Sequence, residues 1–422
     1  MASPPVSPQP PFAEAARFWA KLGFVSFGGP AGQIAILHRE VVERRRWLDD
    51  REFTRALNFC MLLPGPEALQ LAIFLGWKLH GIRGGVTAGL GFILPAVLLL
   101  FALSYVYVAH GSLPWVAALL YGLQAAVVAL VLQALVRIAR RALQSSLHAV
   151  LAAASFVALE FARVPFPVVL LLAAALGAYL ARRPASNEDV AASATPARSA
   201  QTVKVAAIGA ALWLIPLLAV ATALGGASLW TAIYLFFTKA ALVTFGGAYA
   251  VLGYVTSQLV DKLAWVTADQ SVAGLALAET TPGPLIIVLQ FMGFMAGWNQ
   301  PGPLSPLGSA LLAGALATWA TFLPSFLFIL LGAPYVERLT RNARIAGALG
   351  AITAAVVGVI ATLALLLAKV VLFPDGWPAA PDWNAVLIAL AAWFLLERAR
   401  WPLGPVLLAA AASGLLLRLL QQ

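Results

Sequence analysis

Charge is what this sequence has least of. Asp, Glu, Lys and Arg make up 10% of its 422 residues, while 62% are hydrophobic. Ordinary soluble domains carry roughly 25% charged residues, so the composition excludes a conventional water-facing fold and describes an all-α polytopic membrane protein. Cysteine is almost absent. Cys60 stands alone, which excludes an internal disulfide and leaves the redox compartment unreadable. His38, His80, His110 and His148 are too scattered to form a metal site, so neither a metal nor a cofactor is expected. There is no GxxxxGK[ST] phosphate loop, which argues against an ATP-driven pump, and no nucleophile elbow. Residues 1–11, MASPPVSPQPP, lack the basic start and small-residue cleavage site of a secretory signal and read as a disordered tail.

Apolar runs fill the space that charge leaves. Val86 to Val108, Trp115 to Val136, Val203 to Leu224, Ser305 to Leu331, Ile345 to Leu372 and Leu403 to Leu420 each approach or exceed the ~20 residues that cross a bilayer as a helix. A generous count gives about 10–13 transmembrane segments. The net charge of +10 then fits cytoplasmic basic loops and contact with anionic lipid rather than nucleic acid. The scattered tryptophans fit interface belts. The DDRE run at Asp49 to Glu52 and the basic stretch Arg44 to Arg46 read as a solvated loop.

The chain contains itself twice. Shifting it by 218 positions aligns KLGFVSFGG (Lys21 to Gly29) with KAALVTFGG (Lys239 to Gly247), Trp47 with Trp265, and Pro64-Gly65-Pro66 with Pro282-Gly283-Pro284. Further on, a shift of 229 aligns Leu94-Pro95 with Leu323-Pro324 and AAVV at 125 with AAVV at 354. The predicted organisation is an N-terminal half at 12–182, a polar linker at 183–203 and a C-terminal half at 204–422 that opens with an extra helix at about 203–224. The loop from His38 to Arg55 holds six Lys/Arg residues, whereas its counterpart from Thr256 to Ala273 holds only Lys262. Basic loops stay cytoplasmic, so the two copies are expected to form an inverted repeat, with substrate near the midplane between them.

A Pro-Gly-Pro in an apolar run ends a helix and frees backbone groups. Such backbone survives in a membrane only where protein or a water-filled cavity covers it. The sequence therefore predicts broken or re-entrant helices around a cavity. Pro66 and Pro284 can each open a half-helix whose N-terminus favours an anion. Lys21 and Lys239 lie two turns before Gly28 and Gly246, on the same helix face. Gly28, Gly29, Gly246 and Gly247 let the backbone bend or approach a ligand. With Ser26, Thr244, Thr280 and Thr281, these residues compose a two-fold cage suited to a doubly charged tetrahedral oxyanion. Plainer roles stay open: the lysines as interface anchors, the glycine pairs as helix contacts, and Glu67 as a cap. Charges at depth are rare and usually functional, which makes Glu67 and Glu279 candidates for proton coupling.

VSFGGPAGQIAILHREVVERRRWL, ALNFCMLLPGPEALQLAIFLGWKLHG, KAALVTFGGAYAVLGYV and LAETTPGPLIIVLQFMGFMAGW together resemble the chromate ion transporter family in its long form of two fused homologous halves. The pattern departs from that family at Leu69 and Gly253. The resemblance implies a non-enzymatic carrier of the bacterial inner membrane that exports chromate and confers resistance to it, with sulfate as the analogue and proton antiport as an addition to membrane-potential drive. The residues themselves place the expected substrate site at Lys21, Ser26, Gly28, Gly29, Pro64, Gly65 and Pro66, and at Lys239, Thr244, Gly246, Gly247, Thr280, Thr281, Pro282, Gly283 and Pro284. Alternating access is expected, one half rocking against the other. Membrane lipid is an expected partner and a homodimer an open one. A sulfate or other oxyanion carrier, an anion channel and a membrane-embedded enzyme using DDRE with a metal remain the competing readings.

Overall fold

The computed structural model describes residues 9–181, 199–245, 247–335, 343–376 and 378–420. The expectations for residues 1–8, for most of the 183–203 linker and for Gly246 lie outside the described residues. Every regular element among the described residues is a helix. In chain order they are α1 (Phe12–Val25), α2 (Gly29–His38), α3 (Asp50–Cys60), α4 (Glu67–His110), α5 (Pro114–Ala142), α6 (Ser146–Glu160) and α7 (Phe166–Leu180). After α8 (Ser199–Leu224) come α9 (Leu229–Leu242), α10 (Ala248–Ser257), α11 (Ala268–Thr280), α12 (Val288–Asn299), α13 (Pro306–Gly332), α14 (Ala343–Leu372), α15 (Trp383–Trp393) and α16 (Leu403–Leu420).

The second series retraces the first, with α12 and α13 together matching α4. Local detail repeats as well. α2 and α10 both run on into a widened turn, Arg39–Arg44 and Gln258–Lys262, then end on a left-handed residue, Arg46 (φ 53°) and Ala264 (φ 50°). α6 and the extension of α15 end the same way on Arg163 (φ 51°) and Arg400 (φ 55°). Among the described residues, six helices are long and apolar enough to cross a membrane, and four shorter apolar helices accompany them. The chain is a multi-pass membrane protein built as a two-domain repeat.

The short helices of the first copy, α1–α3, fold with the start of α4 as hairpins. Glu14, in the first turn of α1, pairs with Arg45 beyond α2 at 3.2 Å. His80, in the middle of α4, meets the carbonyl of Pro10 at 2.8 Å, where α4 breaks at Gly81 (φ 59°, ψ −150°). One surface thus gathers the start of α1, the end of α2 and the kink of α4. α1 and α3 run inward from it, while α2 and the first part of α4 run back out. Only beyond Gly81 does α4 continue as a crossing. In the second copy Asn299, at the end of α12, donates to the carbonyl of Trp265 at 3.0 Å and closes the equivalent unit.

The helices sort into two layers, and neither layer is a sequence half. The first holds α1–α4 and α9–α13, with α8 against α9 and α13; the second holds α5–α7 and α14–α16. Within the second layer the halves exchange arms, so that α6 and α7 pack on α14 while α15 and α16 pack on α5. Glycines permit this close approach, as small residues do between membrane helices: Gly177 lies against Gly347, and the equivalent Gly414 against Ala118. Two matched ion pairs cross between the halves, Lys369 to Glu160 at 2.8 Å and Arg140 to Glu397 at 3.4 Å.

A side chain at position 177 would meet the backbone of Gly347 directly. Gly177→Val is therefore expected to lift α7 off α14 and lower the thermal midpoint of the detergent-solubilised protein, at a cost of about 1–3 kcal/mol. An unchanged midpoint would show that these helices do not meet as described.

Candidate functional site

The two Pro-Gly-Pro breaks meet. In each, glycine holds the one N–H that the flanking prolines leave, and each donates it to the other copy: Gly65 N–H to the carbonyl of Thr244 at 2.7 Å, Gly283 N–H to the carbonyl of Ser26 at 2.9 Å. Both glycines sit at positive φ, 132° and 107°. A Cβ at Gly65 would stand 2.6 Å from Gln70 Nε2, and one at Gly283 2.7 Å from Ala96 Cβ. Two side-chain amides serve the freed carbonyls. Gln33 Nε2 donates to the carbonyl of Gly283 and, at 3.3 Å, to that of Ser26, and Gln70 Nε2 donates to Pro64 O at 2.7 Å.

The hydroxyls beside the breaks turn back on their own helices. Ser26 donates to Leu22 O at 2.6 Å, Thr244 to Ala240 O at 2.7 Å, and Thr280 and Thr281 both to Leu277 O at 2.7 Å. This back-bonding satisfies the hydroxyl protons locally. Pro64, Gly65, Pro66, Pro282, Gly283 and Pro284 thus make a backbone knot, and the four hydroxyls finish the helix ends around it.

A cavity of about 590 Å³ lies between the two layers beside the segments that flank this knot; neither the six Pro-Gly-Pro residues nor Ser26, Thr244, Thr280 and Thr281 line it. Gly28, Gly29, Gly247, Glu67 and Glu279 all line it. Glu279, 6% exposed, accepts a 2.7 Å hydrogen bond from Tyr249. The opposite wall brings Gln133, Arg137 and Arg141 from α5 and Arg400 from the turn before α16. Arg141 acts electrostatically on Glu67, and Arg137 on Tyr249. Among the described residues none of these three arginines has an ion-pair partner. Lys21 and Lys239 are elsewhere: both are exposed on the outer flanks of α1 and α9 and neither lines the cavity.

The arginines escaped the sequence reading, although their spacing held a signal. Arg137 and Arg141 are four apart, hence on one helix face, whereas Arg140 turns to Glu397. The DDRE run is occupied with local structure. Asp49 caps α3 by accepting from Glu52 N–H at 2.6 Å, and Asp50 meets His38 Nε2 at 2.7 Å.

Comparison with known proteins adds a family. The family model described as chromate transporter matches residues 13–178 and 231–415. A chromate transport protein of Pseudomonas aeruginosa is 37% identical over 359 residues, covering 84% of this chain and 80% of its own. A probable chromate transport protein of Synechococcus elongatus is 30% identical over 406 residues, covering 95% and 94%. A chromate transport protein of Cupriavidus metallidurans is 28% identical over 425 residues, covering 96% of each. No solved structure matches.

The knot generates its own test. Gly283→Ala combines a left-handed backbone, worth about 1–2 kcal/mol for a residue with a Cβ, with the contact on Ala96. The expected result is a lower thermal midpoint and a reduced yield of monodisperse protein. A variant as stable as the parent would mean that the chain does not turn this way at the break.

Proposed function

The chain belongs to the chromate transporter family, and on that premise we propose that it exports chromate from the cytoplasm across the bacterial inner membrane by alternating access, conferring chromate resistance. One observation carries this reading: a cavity lined by Glu67 and Glu279, which flank the two helix breaks, and by three guanidinium groups without ion-pair partners among the described residues, Arg137, Arg141 and Arg400. Guanidinium presents paired donors in a rigid fork that matches two oxygens of an oxyanion, and it cannot lose its charge. A tetrahedral dianion offers such oxygen pairs in several orientations. Beside the knot, Gly28 (φ 95°), Gly29 (φ 68°) and Gly247 (φ 95°) keep that part of the wall free of side chains.

The two copies act as an inverted repeat. The α2 end of the cavity leads toward the basic loop Arg39 to Arg55, which the positive-inside rule places in the cytoplasm. The moving bodies are the two layers, not the two halves, because the halves exchange arms within the second layer. Moving one charge through 100 mV is worth about 2.3 kcal/mol, so a dianion leaving an inside-negative cell gains roughly 4.6 kcal/mol, about three decades of concentration ratio. Potential alone is a sufficient drive. Glu279 is the proton-coupling residue where antiport is added, since it lies in the cavity wall and its partner Tyr249 can keep it hydrogen-bonded in either protonation state.

Purified protein in proteoliposomes provides the test, with chromate flux driven by an imposed potential and challenged by sulfate. Arg141→Gln is expected to lower flux at least tenfold, whereas the Lys21→Gln, Lys239→Gln double variant keeps most of it. Glu279→Gln is expected to uncouple flux from a proton gradient. Full flux in an Arg137→Gln, Arg141→Gln double variant would remove the arginines from the pathway, and stronger transport of sulfate than of chromate would reassign the substrate.

A further inference from the structure

A second cavity of about 630 Å³ lies between the same two layers, and it is the repeat counterpart of the first. Of the α5 residues lining the first cavity, Leu130, Gln133, Ala134, Arg137 and Arg141, shifted by 229, become Val359, Thr362, Leu363, Leu366 and Val370 of α14, all of which line the second; Ile138 and Ala142 have no counterpart there. The turn between α15 and α16 contributes Leu396, Arg400, Trp401 and Leu403; shifted back by 237, these are Leu159, Arg163, Val164 and Phe166, again all in the second cavity. Nine wall positions thus correspond one to one.

The two mouths lie at opposite ends of the second layer. α6 leaves the Arg141 end of α5 after a three-residue turn, 143–145, and runs 15 residues to Glu160, which is roughly 20 Å of helix. There Glu160 pairs with Lys369 at the far end of α14, and both line the second cavity.

The cavities differ in depth. The first follows α2 inward to Gly28 and reaches Gly247 and Glu279 from the other copy. The second follows α10 inward only to Gly253. At that level Tyr254 of the first layer is stacked on Phe166 of the second, ring centres 5.1 Å apart and planes 22° apart, with Phe236 stacked on its other side at 6.0 Å. The equivalent positions on the first side are Ile36 and Leu403, which form no such stack. The second mouth carries charge of both signs with cations in excess: Arg163, Lys262 and Asp261 line it without ion-pair partners among the described residues, beside the Glu160–Lys369 pair.

We propose that the second cavity is the opposite mouth of the transport path, a vestibule where a small divalent oxyanion meets Arg163 and Lys262, shut off from the helix breaks here by the Phe166–Tyr254 stack. This rests on the carrier reading above and adds a second site and its closure. Since the stack joins the two layers, sliding one layer against the other opens this mouth while narrowing the first.

Site-directed thiols test it. Cys60 is buried, so Cys60→Ala gives a thiol-free background into which Thr362→Cys or Ser257→Cys reports the second cavity and Gln133→Cys the first. A membrane-impermeant maleimide is applied to intact cells and to inverted vesicles, with sulfate as the non-oxidising anion. The expected result is that Gln133→Cys reacts from one face and both second-cavity reporters from the other. Sulfate is expected to slow labelling at least threefold at one or both of them, and Arg163→Gln to raise the sulfate concentration needed for half protection at least fivefold. Reaction of all reporters from the same face overturns the proposal, as does labelling that sulfate leaves unchanged at both. Protection by anionic lipid but not by sulfate identifies a headgroup site and also overturns it. Chromate flux through the Cys60→Ala protein is measured alongside: absent flux defeats the carrier reading, whereas intact flux with same-face labelling defeats only this one.

Discussion

Two backbone hydrogen bonds, Gly65 to Thr244 and Gly283 to Ser26, constrain everything around them. A peptide group left unpaired away from water costs several kcal/mol, and each break creates such groups inside the protein. Neither copy can satisfy its own. The first break is completed by a carbonyl of the second copy and the second by a carbonyl of the first, so the cheapest arrangement of either requires both. This explains why the kinks meet, why glycine holds the middle of each Pro-Gly-Pro, and why Ser26 and Thr244 spend their hydroxyls on their own helices. Their carbonyls take part in the knot, and the back-bonded side chains finish the helix ends that present them.

Given that frame, the chemistry is placed asymmetrically on it. Glu279 corresponds to Met61, Glu67 to Leu285, Tyr249 to Ala31, Arg137 to Leu366 and Arg141 to Val370. At these five positions the ionisable group stands on the first side alone, while the second side carries charges of its own at other positions, Glu160, Asp261, Lys262 and Lys369. Arg400 and Arg163 are the exception, conserved in kind between the two turns because both sit in the left-handed closing position of a helix, and each lines its own cavity.

Much of this was legible in the sequence. The repeat, the paired breaks and the cavity they imply follow from matched motifs and from the cost of unpaired backbone. The lysines illustrate the limit. The cage reading paired Lys21 with Gly28 by symmetry, but the buried positions of α1 are Ala15, Phe18, Trp19, Leu22 and Gly23, a stripe that leaves Lys21 on the opposite face. α9 buries Phe237, Thr238, Ala240 and Ala241 around Lys239 in the same manner. The motif showed where to look, and the helix period said which way the side chain faces. The arginines were harder to find because they lie at the end of an apolar run, where basic residues ordinarily mark a membrane boundary. Their meeting with Glu67 and Glu279 depends on α5 of the second layer facing α11 of the first, and Arg400 joins them because α15 and α16 exchange onto α5. No single-helix pattern encodes that exchange; it follows from glycine contacts between segments more than 150 residues apart, such as Gly177 with Gly347.

On the proposed carrier reading, the mixture of signs in the first cavity becomes intelligible. A carrier must release what it binds, and binding that is too favourable stops transport as surely as binding that is too weak. A dianion about 4 Å from one guanidinium gains on the order of 8 kcal/mol at an effective dielectric near 20; three such neighbours without opposition would hold it indefinitely. Glu67 and Glu279 stand in the same wall and offset part of that attraction. Tyr249 modulates the offset by holding Glu279 at 2.7 Å. Three guanidiniums against two carboxylates leave a small excess of positive charge, enough to select an anion over a cation. Because the arginines and the carboxylates belong to different layers, any sliding between the layers changes their distances to the bound ion, which ties the strength of the site to the conformation that exposes it.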